Sequence, residues 1–283
     1  MSVLVPTSLA DALQALAEHP DATVLAGGTD LMVELNGGHR RASSVVVVNR
    51  VPELCTWRHD PITQTLRLGA GVTYGQIERD PIASLVPGLA EAARTVGSPQ
   101  IRHAATIGGN VGTCSPAGDG LPVLSALNAE VELVSAEGIR SVPFASFMVG
   151  PKRTLREPGE LITAITVPVV DGWQGYAKVG VRNAMVIATA SASLVADARR
   201  GTVAIALGSV GPTILRCPEA EAYAMQHANF SERSLAADVV SHCCELVRLA
   251  SRPIDDHRST AAYRRHAVGV LAGRLLRRAF PND

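Results

Sequence analysis

The chain has 283 residues, 47% hydrophobic and 18% charged, with 26 Lys plus Arg balanced by 26 Asp plus Glu. A neutral total without charge blocks excludes the electrostatic profile of a nucleic-acid or anionic-membrane binder. No apolar run reaches the roughly 18 residues that span a bilayer, and the length allows two or three domains with ample core. The opening MSVLVPTSLADAL lacks the basic region and cleavage site of a signal peptide. Cysteines stand at 55, 114, 217, 243 and 244 with no C-x-x-C spacing. Five scattered cysteines fit a reducing cytoplasm, and their spacing encodes no disulfide framework, zinc ribbon or iron–sulfur cluster.

Taken in chain order, Leu9, Leu13 and Leu16 predict a helix over residues 8 to 18, capped by Thr7 or Ser8. A strand TVLA follows, then Gly27-Gly28, then a short helix from about Asp30 that stops at Asn36-Gly37-Gly38. The β-branched run SSVVVVNRV, residues 43 to 51, reads as a buried strand, and the set suggests a small α/β subdomain. Two short strands are expected around Asp60-Pro61. LRLGAGVTYGQI leads from strand to helix, and a helix is expected over 82 to 96, ending near Gly97-Ser98-Pro99. AEVELVSAEGIRSVPF predicts a hairpin around Glu137-Gly138, and residues 159 to 169 a strand stopped by Pro168. From about Trp173 the segments GYAKVGVR, IATASASLVAD and TVAIALGSVGPT predict a three-stranded meander. Helices follow from Cys217, ending in STAAYRRHAVGVLAGRLLRRAF, with Val268, Leu271, Leu275 and Leu276 on one face and arginines on the other. Cys243 and Cys244 fall within a helical pattern and are expected to be buried.

Two motifs stand out: VLAGGTDL and, about eighty residues on, TIGGNVGTCSPAGD. Glycine pairs permit positive φ and close approach of backbone N–H groups, and a helix start adds its dipole, which together suit an anion. A matched pair of such turns, the first with the Thr29 hydroxyl beside it, suits a ligand carrying two phosphates. Other signatures are missing. GAGVTYG has Tyr74 where a dinucleotide fingerprint needs its third glycine, and there is no Walker motif, H-E-x-x-H or G-x-S-x-G. His59, His103, His242, His257 and His266 lack metal-ligand spacing. PIDDHRS, residues 253 to 259, reads as a turn with a helix cap, and Cys114 as a small loop filler.

VLAGGTDL, then TIGGNVGTCSPAGDGLPVLSALNAEVEL, then GPKRTLREPGELITAITVP, then YAKVGVR resemble the FAD-binding subunit of the molybdenum hydroxylases. That group includes xanthine dehydrogenase and the medium subunit of aerobic carbon monoxide dehydrogenase. The C-terminal DDHRSTAAYRRHAVGVLAGRLLRRA is similar as well, so the resemblance covers nearly the whole chain. It implies an α+β protein. Two FAD-binding subdomains of the vanillyl-alcohol-oxidase/MurB (PCMH) type, residues 1–55 and 56–172, would precede a C-terminal domain, 173–283, with a three-stranded antiparallel sheet and helices. FAD would lie between the subdomains with its pyrophosphate against both glycine turns.

By motif, the resemblance assigns Val24, Leu25, Ala26, Gly27, Gly28, Thr29, Asp30 and Leu31 to the first FAD loop. Thr106, Ile107, Gly108, Gly109 and Asn110 form the second, with Ser115 and Asp119 in the SPAGD loop and Asp119 toward the adenosine ribose or the loop beside it. Val96 would line the flavin region, Leu161 or Ile162 would contact the cofactor, and Lys178 would approach it from a strand. Gly28 stands where some relatives have Asn and Val96 where they carry Phe, so the face toward the electron acceptor differs. The resemblance further implies a cytoplasmic dimer of heterotrimers. In it a large subunit would carry the molybdenum cofactor and a small subunit two two-iron two-sulfur clusters, with this FAD passing electrons to NAD, a quinone or another carrier. No acid or base catalyst and no metal ligand is assigned to this chain. A stand-alone flavin oxidase and a non-enzymatic scaffold of the same fold are the alternatives. The first would need a base beside the flavin; the second would not need to retain both glycine pairs.

Overall fold

The computed structural model describes residues 1–281. Three sheets, each with its own hydrophobic cluster, follow one another along the chain. The first contains β1 (Ser2–Leu4), β2 (Thr23–Leu25) and β3 (Ser44–Val47), all parallel, in the order β1-β3-β2. Helix α1 (Leu9–Glu18) is capped by Ser8, whose side chain accepts the Asp11 N–H. Ala12 and Leu16 on its inner face pack with Val46, Val48, Val51 and Leu54. Strand β1 is absent from the expected elements. A three-residue segment carries too little alternation to be recognised, and its pairing with β3 comes from tertiary contact. The predicted strand over 43 to 51 shrinks to four residues, because the chain turns at Val48 to Val51. Helix α2 (Leu31–Asn36) follows Asp30 at its N-cap, as expected.

The second sheet is antiparallel and ordered β4-β5-β10-β6-β7: β4 (Trp57–Asp60), β5 (Thr65–Gly69), β6 (Glu130–Ser135), β7 (Gly138–Pro143), β10 (Leu161–Pro168). Strand β10 enters between β5 and β6 although it is last in sequence, and a register shift lies between Ile162 and Ala164. A two-stranded ribbon, β8 (Met148–Gly150) with β9 (Arg153–Thr154), precedes it. Six helices separate β5 from β6: α3 (Tyr74–Ile77), α4 (Ile82–Leu85), α5 (Pro87–Thr95), α6 (Pro99–Ala104), α7 (Ile107–Thr113) and α8 (Gly120–Ala126), with α9 (Phe144–Phe147) after β7. The helix expected over 82 to 96 is divided at Val86 because Pro87 starts a new helix at its first position, where no N–H is needed. The hairpin at Glu137-Gly138 forms as expected.

The third sheet, β11 (Gly172–Val179), β12 (Ala190–Asp197), β13 (Thr202–Gly208) and β14 (Leu215–Arg216), is an antiparallel meander. It has four strands instead of the three expected, since two residues of β14 close its edge. Helices α10 (Pro218–His227), α11 (Ala237–Ala250) and α12 (Ala261–Ala279) cover one face. Tyr176, Val195, Ala204 and Ala206 carry the other face into the core of the second sheet. Both faces being covered explains why every residue of β12 is buried. On α12, Val268, Leu271, Leu275 and Leu276 are all buried. Arg264 departs from the expected polar face and lies in the interior, 4% exposed. Cys114, Cys217, Cys243 and Cys244 are buried free thiols, and Cys55 is exposed. Among the described residues no helix is long and apolar enough to cross a membrane.

Candidate functional site

The two glycine pairs face one another. Gly27 lies against the end of α6 so closely that a Cβ there would sit 1.8 Å from the Ala104 carbonyl oxygen. A Cβ on Gly109 would lie 4.0 Å from the Ala26 methyl, and Thr113 Oγ1 donates to Asp30 Oδ2 at 3.4 Å. Gly109 and Thr113, about one helical turn apart, therefore meet Ala26 and Asp30, and Gly112 adds no side chain to that part of α7. The turn at Pro151-Lys152 ties the two segments together. Lys152 N donates to the Cys114 carbonyl, while its ammonium pairs with Asp30 and Glu34. The hydrogen bond from that ammonium holds the Glu34 carboxyl below the usual carboxylate range.

The pairs differ in conformation. Gly28 has φ +72°, the left-handed region, whereas Gly108 and Gly109 belong to the first turn of α7 and are absent from the positive-φ residues. The expectation that the second pair forms a positive-φ turn is thus corrected. Its N–H groups are also consumed: Ile107 N donates to Val72 O, Gly108 N to Ala70 O, Gly109 N to Thr106 Oγ1 at 3.0 Å, and Asn110 N to Thr106 O. Gly108 is glycine because a Cβ would meet the Ala70 Cβ at 2.4 Å. In the first loop, by contrast, the N–H groups of Gly27, Gly28, Thr29 and Asp30 have no acceptor among the described residues.

The other residues singled out in the sequence fall into two places. Val24 and Leu25 are the half-buried end of β2, leading into Ala26, and Leu31 opens α2. Leu161 packs into the core of the first sheet, while Ile162, on the opposite face of β10, approaches Gly112 (3.5 Å from a Cβ built there). Val96 ends α5, its carbonyl reached by Arg102 at 3.5 Å. Ser115 Oγ accepts the Ala117 N–H inside the SPAGD loop. Asp119 and Lys178 form an ion pair of 2.7 Å at the seam with the third sheet. Tyr176 Oη donates to the same carboxylate at 2.8 Å, and Lys178 Nζ also reaches the carbonyls of Thr95 and Val186. Burial raises the Asp119 pKa, and Lys178 and Tyr176 work against that rise. Lys178, its side chain 10% exposed, thereby has three acceptors.

Sequence reading missed Tyr74 and Tyr176. Tyr74, the residue that spoils a glycine fingerprint, donates from its hydroxyl to Asn110 Oδ1 at 2.6 Å. A Cβ on Gly120 would stand 2.4 Å from that hydroxyl, so this glycine, just after the SPAGD loop, leaves room for it. Tyr176 could have been found by its spacing of two from Lys178 on one strand face. Cys114 caps α7 in the left-handed region at φ 53°, and burial pushes its thiol up to about 12, consistent with a structural filler. In PIDDHRS, Asp256 accepts the N–H groups of Arg258 and Ser259, as a turn requires. Among the described residues no group of His, Cys, Asp and Glu could hold a metal.

Residues 1–170 match the model of the FAD-binding domain in molybdopterin dehydrogenase, and residues 176–279 match the C-terminal domain of the carbon monoxide dehydrogenase flavoprotein. The glyceraldehyde dehydrogenase medium chain of Sulfolobus acidocaldarius is 34% identical, over 93% of this chain and 92% of that one. A putative xanthine dehydrogenase FAD-binding subunit of Escherichia coli K12 is 30% identical, over 96% and 93%. The solved carbon monoxide dehydrogenase of Hydrogenophaga pseudoflava that lacks the Mo-pyranopterin moiety of its cofactor superposes with a TM-score of 0.90 at 29% identity, covering 99% of this chain and 97% of that one. With these matches along nearly its full length, the chain belongs to the FAD-binding subunits of the molybdenum hydroxylase-type dehydrogenases.

Proposed function

We propose that FAD lies in the gap between residues 26–30 and the Gly109–Gly112 face of α7, with its pyrophosphate on the N–H groups of Gly27, Gly28, Thr29 and Asp30. The observation that carries this is those four donors, which have no acceptor among the described residues and stand just before α2, near a stretch of α7 where Gly109 and Gly112 carry no side chain. Donors of this kind fit a dianionic diphosphate, and they cost no rearrangement when it arrives. In this reading the second glycine pair does a different job: it supplies room, together with the Thr106 hydroxyl and the Asn110 amide. Ile162, rather than Leu161, is the residue of β10 that turns toward the cofactor. Asp119 and Lys178 close the far end of the site. Bound FAD supplies the two-electron to one-electron redox chemistry, while this chain binds it, orients it and sets its electrostatics.

The reading extends to partners. A small subunit with two two-iron two-sulfur clusters would deliver electrons, and a large subunit with the molybdenum cofactor would take them from the substrate, as a cytoplasmic dimer of heterotrimers. Arg274 and Arg277, exposed on α12 and without ion pairs among the described residues, are suited to face a partner. Lys152 and Arg278 are not, being engaged with Glu34 and Asp30 and with Glu91 and Trp173. The test is direct. The purified chain should carry a flavin spectrum, and acid precipitation should release yellow FAD into the supernatant. A colourless chain that binds no added FAD would overturn the reading, and a coloured pellet would show covalent attachment instead.

A further inference from the structure

Arg264 is a charged side chain that the site described above does not use. It sits one turn into α12, its side chain 5% exposed. One guanidinium nitrogen, Nη1, donates to two carbonyls on neighbouring strand ends, Thr189 O at 2.9 Å and Ser209 O at 2.8 Å. The other, Nη2, pairs with Asp256 Oδ1 at 2.6 Å. Burial opposes the charge on Asp256, but hydrogen bonds from Arg258, Arg264 and Ser259 outweigh it and leave the carboxyl at about 2, so Asp256 is ionised at neutral pH. Nε is buried with no acceptor among the described residues. Taking such a group out of water is costly, and an apolar side chain of similar volume would often serve stability as well. What the arginine adds is orientation.

The two carbonyls lead somewhere. Ser209 holds φ 62°, unusual for a residue with a side chain, and its N–H donates to Pro116 O in the SPAGD loop at 2.8 Å. Thr189 donates its N–H to Val179 O, the carbonyl next to Lys178. Each residue clasped by the guanidinium therefore holds backbone near one member of the Asp119–Lys178 pair, Val179 next to Lys178 and Pro116 three residues before Asp119.

We propose that Arg264 is a positioning residue that sets the Asp119–Lys178 pair at the FAD site from the C-terminal helix. The proposal rests on the reading that this pair closes the cofactor site. With a network coupling of about 1.4 kcal/mol, Arg264→Met should weaken FAD binding by about tenfold and change the circular dichroism of the bound flavin. Asp256→Asn keeps both carbonyl clasps and should lower the thermal midpoint while leaving FAD affinity within about twofold, a change of about 0.4 kcal/mol.

The experiment is FAD titration of the full-length chain, stripped of flavin, for these two variants and Lys178→Met, each compared with its thermal midpoint. An Arg264→Met protein that melts lower yet binds FAD as the parent does, beside a weakened Lys178→Met, would overturn the positioning role alone. A Lys178→Met protein with parental affinity would overturn the reading beneath it as well. If Arg264→Met does not fold, amide exchange in the parent chain decides. Added FAD should slow the Thr189 and Ser209 amides, which lie outside the proposed cofactor contacts, and unchanged exchange at both would sink the proposal.

Discussion

Gly27-Gly28 and Gly108-Gly109 are alike in sequence and behave differently in the fold. Gly27-Gly28 forms a loop in which one residue is left-handed and four consecutive N–H groups have no acceptor among the described residues. Gly108-Gly109 is the regular first turn of a helix, capped by Thr106, with every N–H from Ile107 to Asn110 already bonded. In the first pair Gly28 serves conformation and Gly27 a close backbone approach, beside free donors; the second pair serves absence of bulk alone. Glycine is compatible with both uses, since removing Cβ both opens positive φ and frees about one methyl of space.

That contrast can be broken most severely at Gly27. An added Cβ meets backbone, not a movable side chain, at 1.8 Å. Gly27→Ala should force the two loops apart, yield protein with no retained FAD, and lower the thermal midpoint by about 5 °C or more through overpacking. Differential scanning with and without added FAD measures both.

Gly109→Val comes next. The helix backbone tolerates it, and its nearest obstacle is the Thr106 hydroxyl at 2.9 Å. Its remaining methyls enter the gap, so FAD affinity should fall by on the order of a hundredfold, about 3 kcal/mol, with the fold intact. Parental affinity by fluorescence titration would show that this helix face does not border the cofactor.

Gly28→Ala separates conformation from bulk. Left-handed backbone costs a residue with Cβ about 1–2 kcal/mol, so FAD should bind about tenfold more weakly. Gly28→Asn should bind better than Gly28→Ala, because Asn tolerates that region. The reverse order would mean that space, not φ, governs Gly28 as it does Gly27.

Thr106→Val removes the acceptor for the Gly109 N–H. Loss of a cap costs about 1 kcal/mol, so affinity should drop about fivefold. A drop as large as that of Gly109→Val would give the hydroxyl a direct part in holding FAD. The smallest effect concerns Cys114, which follows the second pair in the chain. Its buried thiol, pushed up to about 12, should stay unalkylated by iodoacetamide at pH 8 while exposed Cys55 reacts. Labelling of Cys114 would show that the helix end opens.

Much of the fold and of the site is legible in the sequence for a local reason. Periodic apolar residues placed α1 and α12, and Glu137-Gly138 placed the hairpin. The β-branched run at Val45 to Val47 placed the central strand of the parallel sheet, and the glycine motifs marked both walls of the gap. Each signal is carried by neighbours in the chain, where side-chain periodicity and backbone preference act directly. What the tertiary structure decided depended on distant partners. Strand β10 enters the middle of its sheet, which sends Leu161 into one core and Ile162 toward α7. Asp119 meets Lys178 across fifty-nine residues, and Arg264 reaches Thr189 across seventy-five. Which N–H groups remained free was settled in the same way. Thr106, Val72 and Ala70 satisfy the second turn, and nothing equivalent lies over the first among the described residues. A donor's availability depends on what folds over it, and residues that close through long loops leave no periodic trace in the sequence.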